Sequence, residues 1–184
     1  LNEDFHSYDT LLAENFYKIK NYNKSKKIYS KLSKNGEAFQ WYSSKQIARI
    51  FLQQKNKSEA LKLLKKSYEG LLKKEIYETF DYAEFLKNNE KFEESIPFYS
   101  IILEKIQKDH PLYTEATDGR GVSYERIGGW SKAEKDLLAS LEVNPEQAYV
   151  INYLAYSWIE KGIKIKKSLS MLEKANKLRS NDPY

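Results

Sequence analysis

The sequence predicts an all-α fold of about five tandem helix-turn-helix units, and three observations lead to it. Only 7 Gly and 4 Pro punctuate 184 residues, too few for an all-β chain that must turn every ten residues or so. Hydrophobic residues make up 41% of the chain, enough for a substantial core, yet charges interrupt every apolar run before the roughly 20 residues a membrane-spanning helix needs. Small residues recur with a helical-repeat period, the signature of a chain built by stacking one supersecondary unit.

Ala133, just after the Gly128-Gly129-Trp130 turn, anchors that period. Its counterparts are Ser25, Ala60, Ser95 and Ser168, and each has a second small residue upstream: Ala13, Ala48, Ala83, Gly121 and Ala155. Where two antiparallel helices cross closely, a large side chain at either position would push the backbones apart. A large residue three or four positions beyond each small one fills the groove. These are Phe16, Phe51, Leu86, Tyr124 and Trp158 on the first helices, then Tyr29, Leu64, Tyr99, Leu137 and Leu172 on the second. The turns follow a shared grammar, with an aromatic before a capping residue in Tyr22-Asn23 and Trp130-Ser131. Ser131 with Glu134 reads as a capping box, and the Gly128-Gly129 pair supplies the left-handed backbone that ends the helix before it. Extra residues near IQKDHPLY lengthen the third unit, and Pro97 is tolerable there if that unit's second helix starts late.

These registers together resemble the tetratricopeptide repeat, over nearly the whole chain. The resemblance implies a right-handed α-solenoid in one domain, residues 1–184, with repeats near 6–39, 41–74, 76–112, 114–146 and 148–182. Small residues at repeat positions 8 and 20, large ones at 11 and 24, and Pro145 at position 32 carry it. The position-4 aromatic is replaced by Asp9, Ser44, Thr79, Thr117 and Ile151, which departs from the pattern. The run from Arg120 to Gly162 also resembles multi-repeat proteins of alphaproteobacteria, many of which look exported, and this implies a bacterial, envelope-directed address. In the family, first-helix positions 2, 5, 9 and 12 line the concave face and bind peptides. The candidates it nominates here are Tyr42, Lys45, Arg49, Tyr77, Phe80, Glu84, Tyr149, Asn152 and Tyr156. A tyrosine at position 2 either offers its ring to a peptide or packs against the preceding repeat. The two-carboxylate clamp that holds chaperone tails is not matched: one register gives Thr10, Glu14, Gln46, Tyr77 and Asp81, the next Lys45, Arg49, Asp81, Glu115 and Gly119.

Catalysis needs convergent groups, and the sequence offers few. His6 and His110 have no second ligand at a metal-like spacing, cysteine is absent, and no nucleophile elbow, phosphate-cradling loop or dinucleotide fingerprint occurs. The expectation is a scaffold or adaptor for a protein or peptide, not an enzyme, with no cofactor and no metal. The charge of +5 comes from 27 Lys and only 4 Arg, which argues against specific nucleic-acid recognition, where Arg supplies the bidentate contacts. It is concentrated in residues 1–92, with 18 basic and 12 acidic side chains. An alternative function is therefore electrostatic docking of this Lys-rich half on an anionic surface such as lipid, cell-wall polymer or RNA. At the other end, Leu169, Leu172 and Leu178 sit at spacings that ask for a neighbour. The expectation is that the natural chain continues past Tyr184, or that the C-terminal helix self-associates.

Overall fold

A computed structural model describes residues 8–180, and His6 lies outside them. Ten helices and no strand occur among the described residues. They are α1 (Tyr8–Lys18), α2 (Tyr22–Leu32), α3 (Glu37–Gln53), α4 (Lys57–Glu69), α5 (Ile76–Asn88), α6 (Phe92–Lys105), α7 (Tyr113–Arg126), α8 (Trp130–Val143), α9 (Ala148–Glu160) and α10 (Ile165–Ser180). Contacts join α1 to α2, α3 to α4, α7 to α8 and α9 to α10 as hairpins, and tie α2 to α3, α6 to α7 and α8 to α9. They gather into two compact units, Leu1–Tyr82 and Ala83–Tyr184.

All ten small residues of the repeat register are buried. Ser25 uses its depth: its hydroxyl donates to the Ala13 carbonyl across the α1–α2 crossing at 2.8 Å. At Gly121 an added Cβ would stand 3.1 Å from the Leu137 side chain, so α7 and α8 meet closely enough that a larger residue would have to displace Leu137. Of the large partners, Tyr29, Leu64, Leu86, Tyr99, Leu137 and Trp158 are buried.

Each hairpin closes through one recurring hydrogen bond. The backbone N–H of Asn21, Asn56, Lys91, Gly129 and Ile163 reaches back five residues to the carbonyl of Phe16, Phe51, Leu86, Tyr124 and Trp158, at 2.7–2.9 Å. This is the long bond of a Schellman ending, and it requires a left-handed residue. That residue is Lys20, Lys55, Glu90 or Gly128 in the first four turns, with φ between 59° and 82°. In the fifth it is Gly162, and Lys164 is an additional residue, itself left-handed at φ 51°.

Local capping departs from the sequence reading. Asn21 and Asn56, each the residue before the helix, accept from the N–H of Lys24 and Glu59 at 3.3 Å, while Tyr22 is already helical. Gly129 occupies the cap of α8, so Ser131 falls inside the helix and the capping box does not form. Glu134 is engaged elsewhere, accepting from Trp158 Nε1 at 2.7 Å and from Lys164 at 2.5 Å. Nor does α6 start late: it begins at Phe92 with Pro97 inside it, losing one i→i−4 bond. The third unit's extra residues form the loop between α6 and α7.

In the first unit Ala13, Tyr29, Leu32 and Ile50 form one cluster, and Trp41, Tyr68 and Tyr82 a second, with the Tyr68 and Tyr82 rings stacked at 4.5 Å. In the second unit Leu137, Val150, Leu154 and Trp158 form the centre, flanked by Trp130, Tyr153 and Met171. Gly119 is where this unit is least forgiving, because a Cβ there would fall 2.5 Å from the ring of the buried Tyr99. The Tyr99 hydroxyl is itself fixed on Glu84, so the ring has nowhere to go. Gly119→Ala is expected to destabilise the protein by about 2 kcal/mol or more, read as a lower thermal midpoint in circular dichroism.

Candidate peptide-binding surfaces

Along the first helices of the Leu1–Tyr82 unit, the candidate cations are already partnered. Arg49 on α3 pairs with Glu14 on α1 at 2.5 Å, and its guanidinium lies 3.9 Å over the Tyr17 ring. Lys45, one turn earlier, pairs with Asp81 on α5, which also accepts from Trp41 Nε1 at 3.4 Å. Glu14 takes a further bond from the Tyr29 hydroxyl at 3.3 Å. Burial, reinforced by Tyr42 and Glu14, holds that phenol protonated well above the ordinary tyrosine range. Tyr42 packs edge-on against Tyr29 at 6.2 Å, with the half-buried side chain of a packing residue. Tyr77, at the same register on α5, is 59% exposed. The two position-2 tyrosines of this unit thus divide, one packed and one presented. Glu14 and Asp81 are the members of this surface that the sequence reading did not nominate; both hold opposite charges on the neighbouring first helix.

In the Ala83–Tyr184 unit, Glu84 accepts from the Tyr99 hydroxyl at 2.5 Å and from Lys87 at 2.6 Å. Asp118 on α7 lies near both. One of its oxygens is buried without a hydrogen-bond partner, and burial raises its carboxyl from 3.8 to about 6, against the opposing pull of Ser140 and Lys87. Further along, Tyr149, Asn152 and Tyr156 come together on one face of α9, at i, i+3 and i+7, as the nomination requires. They line an open cavity of about 270 Å³ with Glu125 and Arg126 of α7 and Arg179 of α10. Tyr153, which the register does not nominate, lies behind them: its hydroxyl donates to Glu125 at 2.9 Å and its ring sits 6.0 Å from Tyr149. Tyr149 and Tyr156 are more than half exposed. Amphipathic rings on either side of a primary amide form a surface able to stack on side chains and pair with a peptide group, at little cost in side-chain entropy.

His110 acts locally, its Nδ1 accepting the Leu112 N–H at 3.1 Å in the loop before α7. Among the described residues no group of three His, Cys, Asp or Glu is placed to hold a metal ion. No helix among them is long and apolar enough to cross a membrane.

No protein-family model matches the chain, and no curated protein does. Solved structures do. The structure is similar to MamA from Desulfovibrio magneticus RS-1, with a TM-score of 0.73 at 13% identity over 99% of each chain. It is similar to MamA of MSR-1, at 0.68 and 17% identity over 94% of this chain and 95% of that one. A third neighbour, YrrB, is described as a TPR protein with an unusual peptide-binding site; the TM-score is 0.65 at 18% identity, over 92% of this chain and 84% of that one. The fold is that of a tetratricopeptide-repeat solenoid. At these identities the likeness speaks for the fold, and the chemistry of the site must come from this chain's own residues.

Asp118 offers a direct check on the second surface. Its proton is held more tightly in the folded state than in the unfolded one, so it costs no stability below about pH 4. As pH rises between 3.8 and about 6, the unfolded chain releases the proton first and stability falls; above that window the loss is constant. Asp118→Asn is expected to remove this slope and to raise stability at neutral pH by on the order of 2 kcal/mol, allowing for partial solvent screening. Thermal midpoints measured from pH 3.5 to 7.5 check it, with the two proteins expected to converge at the acid end.

Proposed function

We propose that this chain is a protein- or peptide-binding scaffold or adaptor that acts through the first-helix faces of its repeats and performs no chemical step. The observation that carries this reading is the row Tyr149, Asn152 and Tyr156, presented on one face of α9 beside an open cavity. Tyr77 and Phe80 on α5 supply a second candidate contact, in the other unit. Lys45, Arg49 and Glu84 act as framing charges, since each is already neutralised by a neighbour, and Tyr42 as support for them. The peptide-binding site of YrrB, a protein of like fold, supports the same function.

A second reading is favoured by charge placement. The α2 helix carries four lysines and no carboxylate, and α4 adds four more, so the Lys-rich half has second-helix faces suited to docking on an anionic surface. Ile165 and Leu169, exposed on α10, also support self-association through that helix.

The groove reading is tested by selecting peptides from a random library on the immobilised protein and measuring them against Tyr149→Ala/Tyr156→Ala by calorimetry. Removing two exposed rings should leave the fold intact and weaken selected peptides at least tenfold, as for aromatic hot spots. That loss should be the same at about 50 and 200 mM salt, where phosphate-type electrostatic binding falls steeply. Peptides that bind the double variant as well as the wild type would place recognition elsewhere.

A further inference from the structure

The turn edge of the Leu1–Tyr82 unit has features that hairpin closure leaves unexplained. The α1–α2 turn runs Lys18-Ile19-Lys20, and the α3–α4 turn beside it runs Gln53-Gln54-Lys55. Lys26 ties the two together, bonding Gln54 at 3.4 Å with its ammonium over the Phe51 ring. From residue 15 to residue 58 the chain holds one carboxylate, Glu37, against ten lysines and Arg49. Among the described residues Lys18, Lys20 and Lys55 have no acidic partner.

Two of these lysines occupy the left-handed position of their turns, Lys20 at φ 60° and Lys55 at φ 59°. Glycine is the residue that conformation favours, and the α7–α8 turn uses it, at Gly128. The α5–α6 turn also carries a non-glycine residue there, Glu90, so what sets these two tips apart is the ammonium each places at an exposed apex. Between the lysines of the first turn stands Ile19, an aliphatic side chain 70% exposed with no core to enter.

We infer that this edge docks on the surface of an anionic lipid bilayer, with Lys18, Lys20 and Lys55 among the phosphate headgroups and Ile19 at the boundary with the acyl chains. The inference rests on the electrostatic reading of this half and narrows it to one partner. Charge alone would suit any polyanion. Ile19 decides for lipid, because a branched alkyl group gains nothing from a phosphodiester backbone but is favoured on leaving water at a bilayer interface. The cations fit as well: lysine ammonium groups act as point charges toward a field of headgroups, whereas nucleic-acid recognition favours the planar fork of arginine. Of the aromatics beside this edge, Tyr22 packs against Tyr17 at 5.8 Å and Phe51 lies under the Lys26 ammonium.

The test is co-sedimentation of the full chain with vesicles of phosphatidylcholine alone or with phosphatidylglycerol added, alongside binding to poly(U). Lys20→Gly/Lys55→Gly removes both tip charges and relaxes the backbone, so its thermal midpoint should not fall. Its partition into anionic vesicles should drop about 30-fold, near a factor of five for each lysine. Ile19→Ser, at unchanged charge, should lose about fivefold on vesicles and nothing on poly(U). Ile19→Ser binding vesicles like the wild type, or poly(U) binding as tightly as the vesicles, overturns the lipid assignment while leaving a polyanion surface. A wild type that binds neither overturns the electrostatic reading together with it.

Discussion

Paired helices in this chain meet at buried positions held by glycine, alanine or serine, and the rest of the architecture depends on that approach. At Gly121 and Gly119 the spare room is smaller than a methyl group, so the distance between α7 and its neighbours is fixed by atoms in contact. Once the small residues touch, the large ones three or four positions on have one place to go. Tyr29, Leu64, Tyr99, Leu137 and Trp158 therefore become the core. The same residues continue outward as polar handles: Tyr29 and Tyr99 present hydroxyls to Glu14 and Glu84, and Trp158 presents its indole N–H to Glu134. Packing and surface charge are in this way one construction.

That coupling reaches several candidate binding residues. A cation at register 5 or 9 looks, in sequence, like an offer to an anionic ligand. In the fold Lys45 and Arg49 are each met by a carboxylate from an adjacent first helix, and Arg49 is braced on Tyr17 as well. Each of these charges is balanced within the unit. Tyr149 and Tyr156, by contrast, stand more than half exposed on α9, beside a cavity that Glu125, Arg126 and Arg179 also line.

Most of the fold was legible because it is written in periodic side-chain size, which one sequence carries in full. Ten small positions were read and ten are buried, from Ala13 to Ser168. Caps and pairings were less legible. Residues either side of a helix start look alike in sequence, and which one caps depends on where the preceding Schellman bond closes; hence Asn21 in place of Asn23, and Gly129 in place of Ser131. Pairs such as Arg49 with Glu14 join residues 35 apart, and their register could be laid out while their contact could not. Asp118 was invisible for a related reason, since its altered proton affinity arises from burial, beside side chains of two other helices, α5 and α8.

The extra residue in the last hairpin has a consequence of its own. With Lys164 inserted, the α9–α10 turn holds two left-handed residues where the other turns hold one, and Lys164 reaches across to Glu134 while lying 4.4 Å over Trp158. An insertion of one residue within a helix would rotate every following side chain by about 100° and scramble the packed face. Placed in the turn and clamped by a charge and a ring, it leaves Ser168 buried in register with Ser25, Ala60, Ser95 and Ala133. The hairpin turns are thus the points where this chain can absorb a change in length without losing phase.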